Sequence, residues 1–337
     1  MNLFSSGPHQ TLSRLGEQAL LDTIRSWLGP VAPPPPFGMG DDCAVLESGY
    51  QRTIVTTDGL VYGHHFDAAT PPQLAGAKLI KRNLSDVAAM GGRSRAALCA
   101  LLLGPNVTLE WLRAFYSGIR ECCETYSISI VGGDLSEGPL SSFAAWLTLW
   151  GESIPSQPRL LQRRGASLGD HLFITGLLGG SSLGKHLDFT PRLKEGQWLA
   201  RQTAVRSMID VTDGLAKDLF PLIPDGCDAM LDCNRIPISE AARYLSQTSG
   251  RTALHHALSD GEDYELLFTL AADEDPDAFV ALWHRQLTAV PLTCIGRIVT
   301  AADPAHSPQM RDVATGQPLA PLGGYAHFSA KTLPPSG

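Results

Sequence analysis

Three observations predict a mixed α/β protein in two domains. The chain has 337 residues, 44% of them hydrophobic and 18% charged, which is ample for a core and long for a single one. Short apolar runs alternate along it with stretches whose apolar positions recur at helical spacing, the pattern of strands and helices in turn. Gly151 to Pro158 holds two prolines and two serines and reads as a linker. The expected domains are therefore 1–150 and 151–330, followed by a loose tail over 331–337.

Leu20, Leu21, Ile24, Trp27 and Leu28 form an apolar stripe, so the first element is an amphipathic helix, stopped by Gly29-Pro30. Pro33 to Pro36 is a stiff extended spacer with no role assigned to it. Strands are expected at Cys43 to Leu46 and Thr53 to Thr57, then a loop with His64-His65-Phe66, then a helix from about Pro72 to Met90 closed by Gly91-Gly92. Ala96 to Leu103 reads as a buried strand. Trp111, Leu112, Phe115, Tyr116 and Ile119 mark another helix, and Ile128 to Val131 and Ser142 to Trp150 are strands. In the second half a strand at Leu172 to Thr175 leads through a glycine-rich turn to a helix. Asp210 to Asp213 then leads to a helix ending near Phe220, with strands near Met230, at Glu265 to Leu270 and at Cys294 to Val299, and helices near Ser239 and Phe279.

The chemistry concentrates in aspartates placed beside apolar strands, most with glycine next to them. Asp41-Asp42 follows Gly40; Thr56-Thr57 runs into Asp58-Gly59; Gly132-Gly133 precedes Asp134; Asp210-Val211-Thr212-Asp213 ends on Gly214; and Asp86 lies in a helical pattern. Each alone caps a helix or shapes a turn as readily as it serves a site. Together they point to one site where carboxylates converge, and converging like charges call for cations among them. Hard oxygen donors without paired His or Cys favour Mg²⁺, which in such settings serves substrate phosphates, so the reaction class is phosphoryl transfer.

Composition excludes other classes. A net charge of −8 without any cluster of Lys and Arg argues against nucleic acid as main partner. Seven cysteines with no C-x-x-C pair fit neither a disulfide framework nor a zinc knuckle, so a reducing cytoplasm is expected. The most apolar run, Ala96 to Leu103, is too short to span a bilayer. Gly179 to Lys185 matches the first seven positions of a Walker A loop after an apolar stretch. The next residue is His186, where the motif needs Ser or Thr for Mg²⁺, which argues against a true P-loop.

Taken in order, the motifs carry a specific likeness. They are Gly40-Asp41-Asp42-Cys43-Ala44-Val45, Thr56-Thr57-Asp58-Gly59-Leu60-Val61 with His65-Phe66, Asn83-Leu84-Ser85-Asp86-Val87, Val131-Gly132-Gly133-Asp134 with Gly138-Pro139, and Arg164-Gly165-Ala166 with Gly169-Asp170. Ile209 to Leu215, Ser259 with Gly261-Glu262-Asp263-Tyr264-Glu265-Leu266, Cys294-Ile295-Gly296, and Gly324-Tyr325 with His327-Phe328 complete the set. The chain resembles the thiamine-monophosphate kinase family, within the superfamily of aminoimidazole ribonucleotide synthetase. The resemblance implies an N-terminal β-sheet domain that binds ATP and Mg²⁺ and dimerises, a C-terminal α/β domain, and a site in the cleft between them.

It also implies ATP-dependent phosphorylation of thiamine monophosphate to thiamine diphosphate, by direct in-line transfer assisted by several Mg²⁺ ions in a homodimer. The acceptor is a phosphate oxygen already largely deprotonated near neutral pH, so no His-Asp pair is needed. By matched position, Asp42, Thr56, Thr57, Asp58, Asp86, Asp134, Asp210 and Asp213 surround the metal ions, with Asp210, Asp213 and Asp134 at the reacting centre. Tyr116, Gly133, Asp134, Arg163 and Thr212 meet ATP, Arg164 being an alternative to Arg163. His65, Glu262 and Tyr325 meet the thiamine phosphate.

Four positions depart from the family pattern: Arg82, Leu135, Glu137 and Asp260. They leave room for a changed substrate preference, for a sibling ATP-dependent activity, or for a nucleotide-binding regulator without turnover.

Overall fold

The computed structural model describes residues 3, 17–33, 52–154, 159–303 and 308–319. The expected strand at Cys43 to Leu46 and the tail lie outside these residues. The described residues fall into two compact units. One lies within Met1–Leu160 together with Leu187–Arg201, the other within Leu161–His186 together with Gln202–Gly337. A segment from the second half thus folds with the first, which no composition shift at Gly151 to Pro158 announces.

The first unit contains helix α1 (Glu17–Leu28), strand β1 (Thr53–Val61), helix α2 (Pro72–Ala89), strand β2 (Arg93–Leu103), helix α3 (Leu109–Tyr126), and strands β3 (Ser129–Glu137) and β4 (Phe143–Glu152). The strands form one sheet in the order β1-β4-β2-β3, antiparallel except for the β2–β3 pair. Thr108 caps α3, its side chain accepting from the Trp111 amide, and the chain leaves that helix through Ser127 in the left-handed region. The α2–α3 crossing is close because two glycines make it so. A Cβ on Gly76 would sit 2.0 Å from the Phe115 carbonyl oxygen, and one on Gly118 2.0 Å from that of Gln73.

These helices cover one face of the sheet over an aromatic cluster in which Trp111 stacks on Phe115 and Phe66, and Phe143 meets all three edge-on. The other face carries Val55, 57% exposed, and Trp146, 45% exposed.

The second unit is built on a six-stranded sheet, and helix α4 (Leu193–Arg201) is the inserted piece that packs on α2, where a Cβ on Gly196 would meet the Ala88 carbonyl. Its strands are β5 (His171–Thr175), β6 (Val205–Asp210), β7 (Cys227–Leu231), β8 (Leu266–Leu270), β9 (Leu292–Thr300) and β10 (Met310–Asp312), in the order β10-β7-β9-β5-β8-β6. Only β10–β7 is parallel. Helices α5 (Leu215–Asp218), α6 (Glu240–Ser246), α7 (Ala253–Ser259) and α8 (Pro276–Gln286) complete it, α6, α7 and α8 being capped by Ser239, Thr252 and Asp275. One expectation falls short, the helix after Gly214 being a single turn; the glycine-rich turn after β5 passes through a 3-10 turn at Ser181–Leu183 before the chain reaches helix α4.

Candidate active site

In the first unit, β1 and α2 are matched by length. Residues four apart on a helix rise about 6 Å and residues two apart on a strand about 6.7 Å, so Arg82 and Asp86 can address two positions of one strand face. Thr56 Oγ1 donates to Asp86 Oδ2 at 2.5 Å, and Arg82 Nε lies 2.8 Å from Asp58 Oδ2 while its guanidinium also reaches the Gly59 carbonyl. The Gly59 amide donates to Asp58 Oδ1 at 2.8 Å. Arg82, a departure from the family pattern, therefore acts on a predicted metal ligand.

Thr57 points to the other face of β1, beside Thr148 at 3.2 Å between hydroxyl oxygens. Asp134 is reached through a bulge: the β2–β3 register shifts at Ala97/Leu98, and Gly133 runs so near β2 that a Cβ would be 1.9 Å from the Cys99 carbonyl oxygen. Asp134 then accepts from Ser136 Oγ at 3.1 Å on an exposed stretch. Since β1 and β3 are opposite edges of the sheet, three spacings of about 4.8 Å, roughly 14 Å in all, separate them. The sheet brings Thr56, Asp58 and Asp86 together and leaves Asp134 apart.

Leu135 alternates inward from Asp134 and packs against the core, which accounts for an apolar residue there; Glu137 is exposed. His65 is fixed in its loop, Nδ1 accepting from the Val61 amide at 3.0 Å and its carbonyl taking a bond from the buried Lys78 ammonium at 2.9 Å. Tyr116 is 2% exposed within the core, beside Trp27 and Phe115 and hydrogen-bonded to Cys99. Its place on the apolar stripe of α3 carried that signal.

In the second unit, the loops after β6 and before β8 run together. The Glu262 amide donates to the Thr212 carbonyl at 2.7 Å and the Tyr264 amide to that of Val211 at 2.8 Å, so Asp210, Thr212, Asp213 and Glu262 share one end of the sheet. Asp210 is buried at the end of β6, and Asp213 forms an ion pair with Lys217 one turn on. The residue that orders this loop is one sequence reasoning misses: Asp218. Its Oδ2 accepts from the amides of Thr212, Asp213 and Gly214 at 2.8, 2.8 and 3.1 Å. Burial is the largest influence on its carboxyl and pushes it up to about 6 against the bonds it accepts. Those three amides are thus already engaged within the protein.

The Walker-like stretch is also accounted for. Gly179 and Gly180 donate their amides to Asp263 Oδ1 at 2.9 Å and Asp260 Oδ2 at 2.8 Å, and Lys185 lies 2.9 Å from Glu265 Oε1. A phosphate-binding loop keeps its amides and lysine for the ligand and opens an α-helix; this one does neither. Asp260 is held further by His256 Nδ1 at 2.9 Å. With both its oxygens engaged inside the protein, Asp260→Gly should lower the melting temperature and leave the preference among phosphate acceptors unchanged, as a thermal melt and a substrate panel would measure. Arg163 and Arg164 are both exposed, so burial does not choose between them. Asp42 and Tyr325 lie outside the described residues.

Asp263 is buried, which pushes its carboxyl up to about 7 from an ordinary 3.8 despite the nearby Lys185 ammonium. Between those values the folded protein holds a proton the unfolded chain has lost, so this group's contribution to stability falls as pH rises from about 4 to 7. Asp263→Asn should flatten part of that slope in denaturant titrations at pH 5 and pH 8, Asp218 supplying a further part with the same sign.

Among the described residues no three His, Cys, Asp or Glu side chains come together closely enough to hold a metal ion. The donor chemistry nonetheless fits a hard divalent ion: Thr56 and Asp86 bring two oxygens together, and Asp58 already has a cation, Arg82, against it.

The arrangement has counterparts of known identity. The family model described as "AIR synthase related protein, N-terminal domain" matches residues 40–152. A thiamine-monophosphate kinase of Rhodopirellula baltica is 39% identical over 274 residues, covering 78% of this chain and 83% of that protein. The chain belongs to the thiamine-monophosphate kinase family. The family member from Escherichia coli K12 is 35% identical over 318 residues, covering 87% of this chain and 92% of that one.

Among solved structures, the thiamine-monophosphate kinase of Stenotrophomonas maltophilia K279a superposes with a TM-score of 0.71 at 31% identity, covering 90% of this chain and 98% of that one. AaThiL, solved complexed with AMPPCP and TMP, gives a TM-score of 0.69 at 28% identity, covering 94% and 98%. The hydrogenase maturation protein HypE shares the fold at 18% identity and a TM-score of 0.70.

Proposed function

We propose that this protein transfers the γ-phosphoryl group of ATP to thiamine monophosphate, giving thiamine diphosphate and ADP. The observation that carries the reading is family membership over most of the chain, together with a superposable relative whose structure holds AMPPCP and TMP. In this reading Asp42, Thr56, Thr57, Asp58, Asp86, Asp134, Asp210 and Asp213 hold Mg²⁺. Tyr116, Gly133, Asp134, Thr212 and Arg163 meet the nucleotide, and His65, Glu262 and Tyr325 meet the thiamine phosphate. Bound Mg²⁺ supplies charge neutralisation to the phosphates. The protein's own part is positioning: the attacking oxygen needs no base, and a fixed His65, a braced Glu262 and the Asp218-ordered loop hold the reactants in line.

We also propose a homodimer joined through the open face of the first unit's sheet, where Val55 and Trp146 stand exposed between strands. Trp146→Lys should halve the mass seen by sedimentation if the face is the interface. A reducing, cytoplasmic setting is supported by free thiols at all six described cysteines; no described helix is long and apolar enough to cross a membrane. The function is tested by incubating the purified protein with ATP, Mg²⁺ and thiamine monophosphate, with thiamine and pyridoxal as controls, and separating the products. Thiamine diphosphate formed from the monophosphate alone is the expected result; phosphorylation of a control in its place would move the assignment to another acceptor.

A further inference from the structure

The Walker-like stretch is left without a nucleotide role, yet it is built into the protein with unusual care. Three consecutive residues of it reach one target: Gly179 N donates to Asp263 Oδ1 at 2.9 Å, Gly180 N to Asp260 Oδ2 at 2.8 Å, and Ser181 Oγ to the Gly261 carbonyl at 2.6 Å. Lys185 closes the stretch, its Nζ lying 2.7 Å from the Leu177 carbonyl, 2.9 Å from Glu265 Oε1 and 3.8 Å from Asp263 Oδ1. The target is therefore the whole run from Asp260 to Glu265.

That run holds a costly conformation. Gly261 is left-handed at φ 73°, and so are two residues with side chains, Glu262 at φ 52° and Tyr264 at φ 53°. Such positions persist where the surroundings over-determine them. The alternation turns Asp263 inward and leaves Glu262 and Tyr264 in register, with the Tyr264 hydroxyl donating to Glu262 Oε1 at 3.1 Å. Asp263 and Glu265 are both about 1% exposed, Glu265 also accepting from Thr175 Oγ1 at 2.8 Å, and Asp263 Oδ2 has no hydrogen-bond partner among the described residues. One ammonium thus serves two buried carboxylates. Without it Glu265 loses this ion pair and Asp263 its nearby cation, and the run is free to unwind from its left-handed turns and admit water.

We propose that Lys185 is a positioning residue that fixes the Glu262 carboxylate for the phosphate acceptor by anchoring Asp263 and Glu265 beneath it. This rests on the reading in which Glu262 meets thiamine monophosphate. Lys185 itself touches neither substrate. Its loss weakens acceptor binding and leaves the nucleotide largely unaffected, the opposite of what a Walker lysine would do.

The test is calorimetric and kinetic on the full chain. For Lys185→Met, the Kd and KM for thiamine monophosphate should rise by about tenfold or more while the KM for ATP stays within about twofold, and Lys185→Arg should recover most of the loss. Lys185→Met with Glu265→Gln removes a buried negative charge along with the cation, and is measured in the same way should the single variant not fold. Equal changes for both substrates, or unchanged acceptor binding in a folded variant, would overturn the proposal. Wild-type protein that binds ATP but no thiamine monophosphate would instead strike the functional reading itself.

Discussion

Asp210→Asn should abolish phosphoryl transfer, with kcat falling on the order of a thousandfold. Asp210 is buried at the end of β6, next to the loop that carries Thr212 and Asp213, and the asparagine keeps its shape while removing its charge. If the carboxylate serves as a magnesium ligand, the variant should fold normally by circular dichroism and require more Mg²⁺ to reach half of its residual rate. A variant with near wild-type kcat would remove Asp210 from the reacting centre.

Asp218→Ala should be the most damaging single change to the loop's structure. It deletes the common acceptor of three backbone amides, of Thr212, Asp213 and Gly214, and each orphaned donor costs about 1–3 kcal/mol where water cannot reach it. A loss of roughly 3 kcal/mol or more in denaturant titration is expected, accompanied by a fall in activity, because the same loop presents Thr212 and Asp213. Asp218→Asn retains one carbonyl oxygen as acceptor and should recover part of both. An Ala variant as stable as the wild type would mean that the amides find other partners and that Asp218 is dispensable.

Most of the fold was legible because it is written in periodicity. The helices at Pro72–Ala89 and Leu109–Tyr126 and the strands at Arg93–Leu103, Phe143–Glu152 and Leu266–Leu270 fall where the apolar spacing puts them. What was not legible is long-range. Nothing local distinguishes Leu187–Arg201 from the segments around it, and its docking on α2 depends on Gly196 meeting Ala88, more than a hundred positions away. The turn after Gly214 stops at four residues because the chain meets Pro221 and enters a 3-10 turn at Phe220–Leu222.

The site divides in the same way. The candidate residues come from motifs, while the pairing of Thr56 with Asp86 depends on how α2 docks against β1. The strand order that separates Asp134 from β1 is a property of topology that no motif carries. Asp218 and Lys185 were unreadable as site residues for a related reason: they act on backbone amides and buried charges, partners that a sequence does not display. Tyr116 shows the converse, since its position on an apolar stripe alone predicts its burial.

The most direct test of the central claim is to follow ATP and thiamine monophosphate by phosphorus NMR as the enzyme acts. The account predicts that the monophosphate signal is replaced by the paired resonances of thiamine diphosphate, with ADP appearing in equal amount and no orthophosphate released. ADP accompanied by orthophosphate, with the monophosphate signal unchanged, would show an ATPase with a different acceptor and contradict the account.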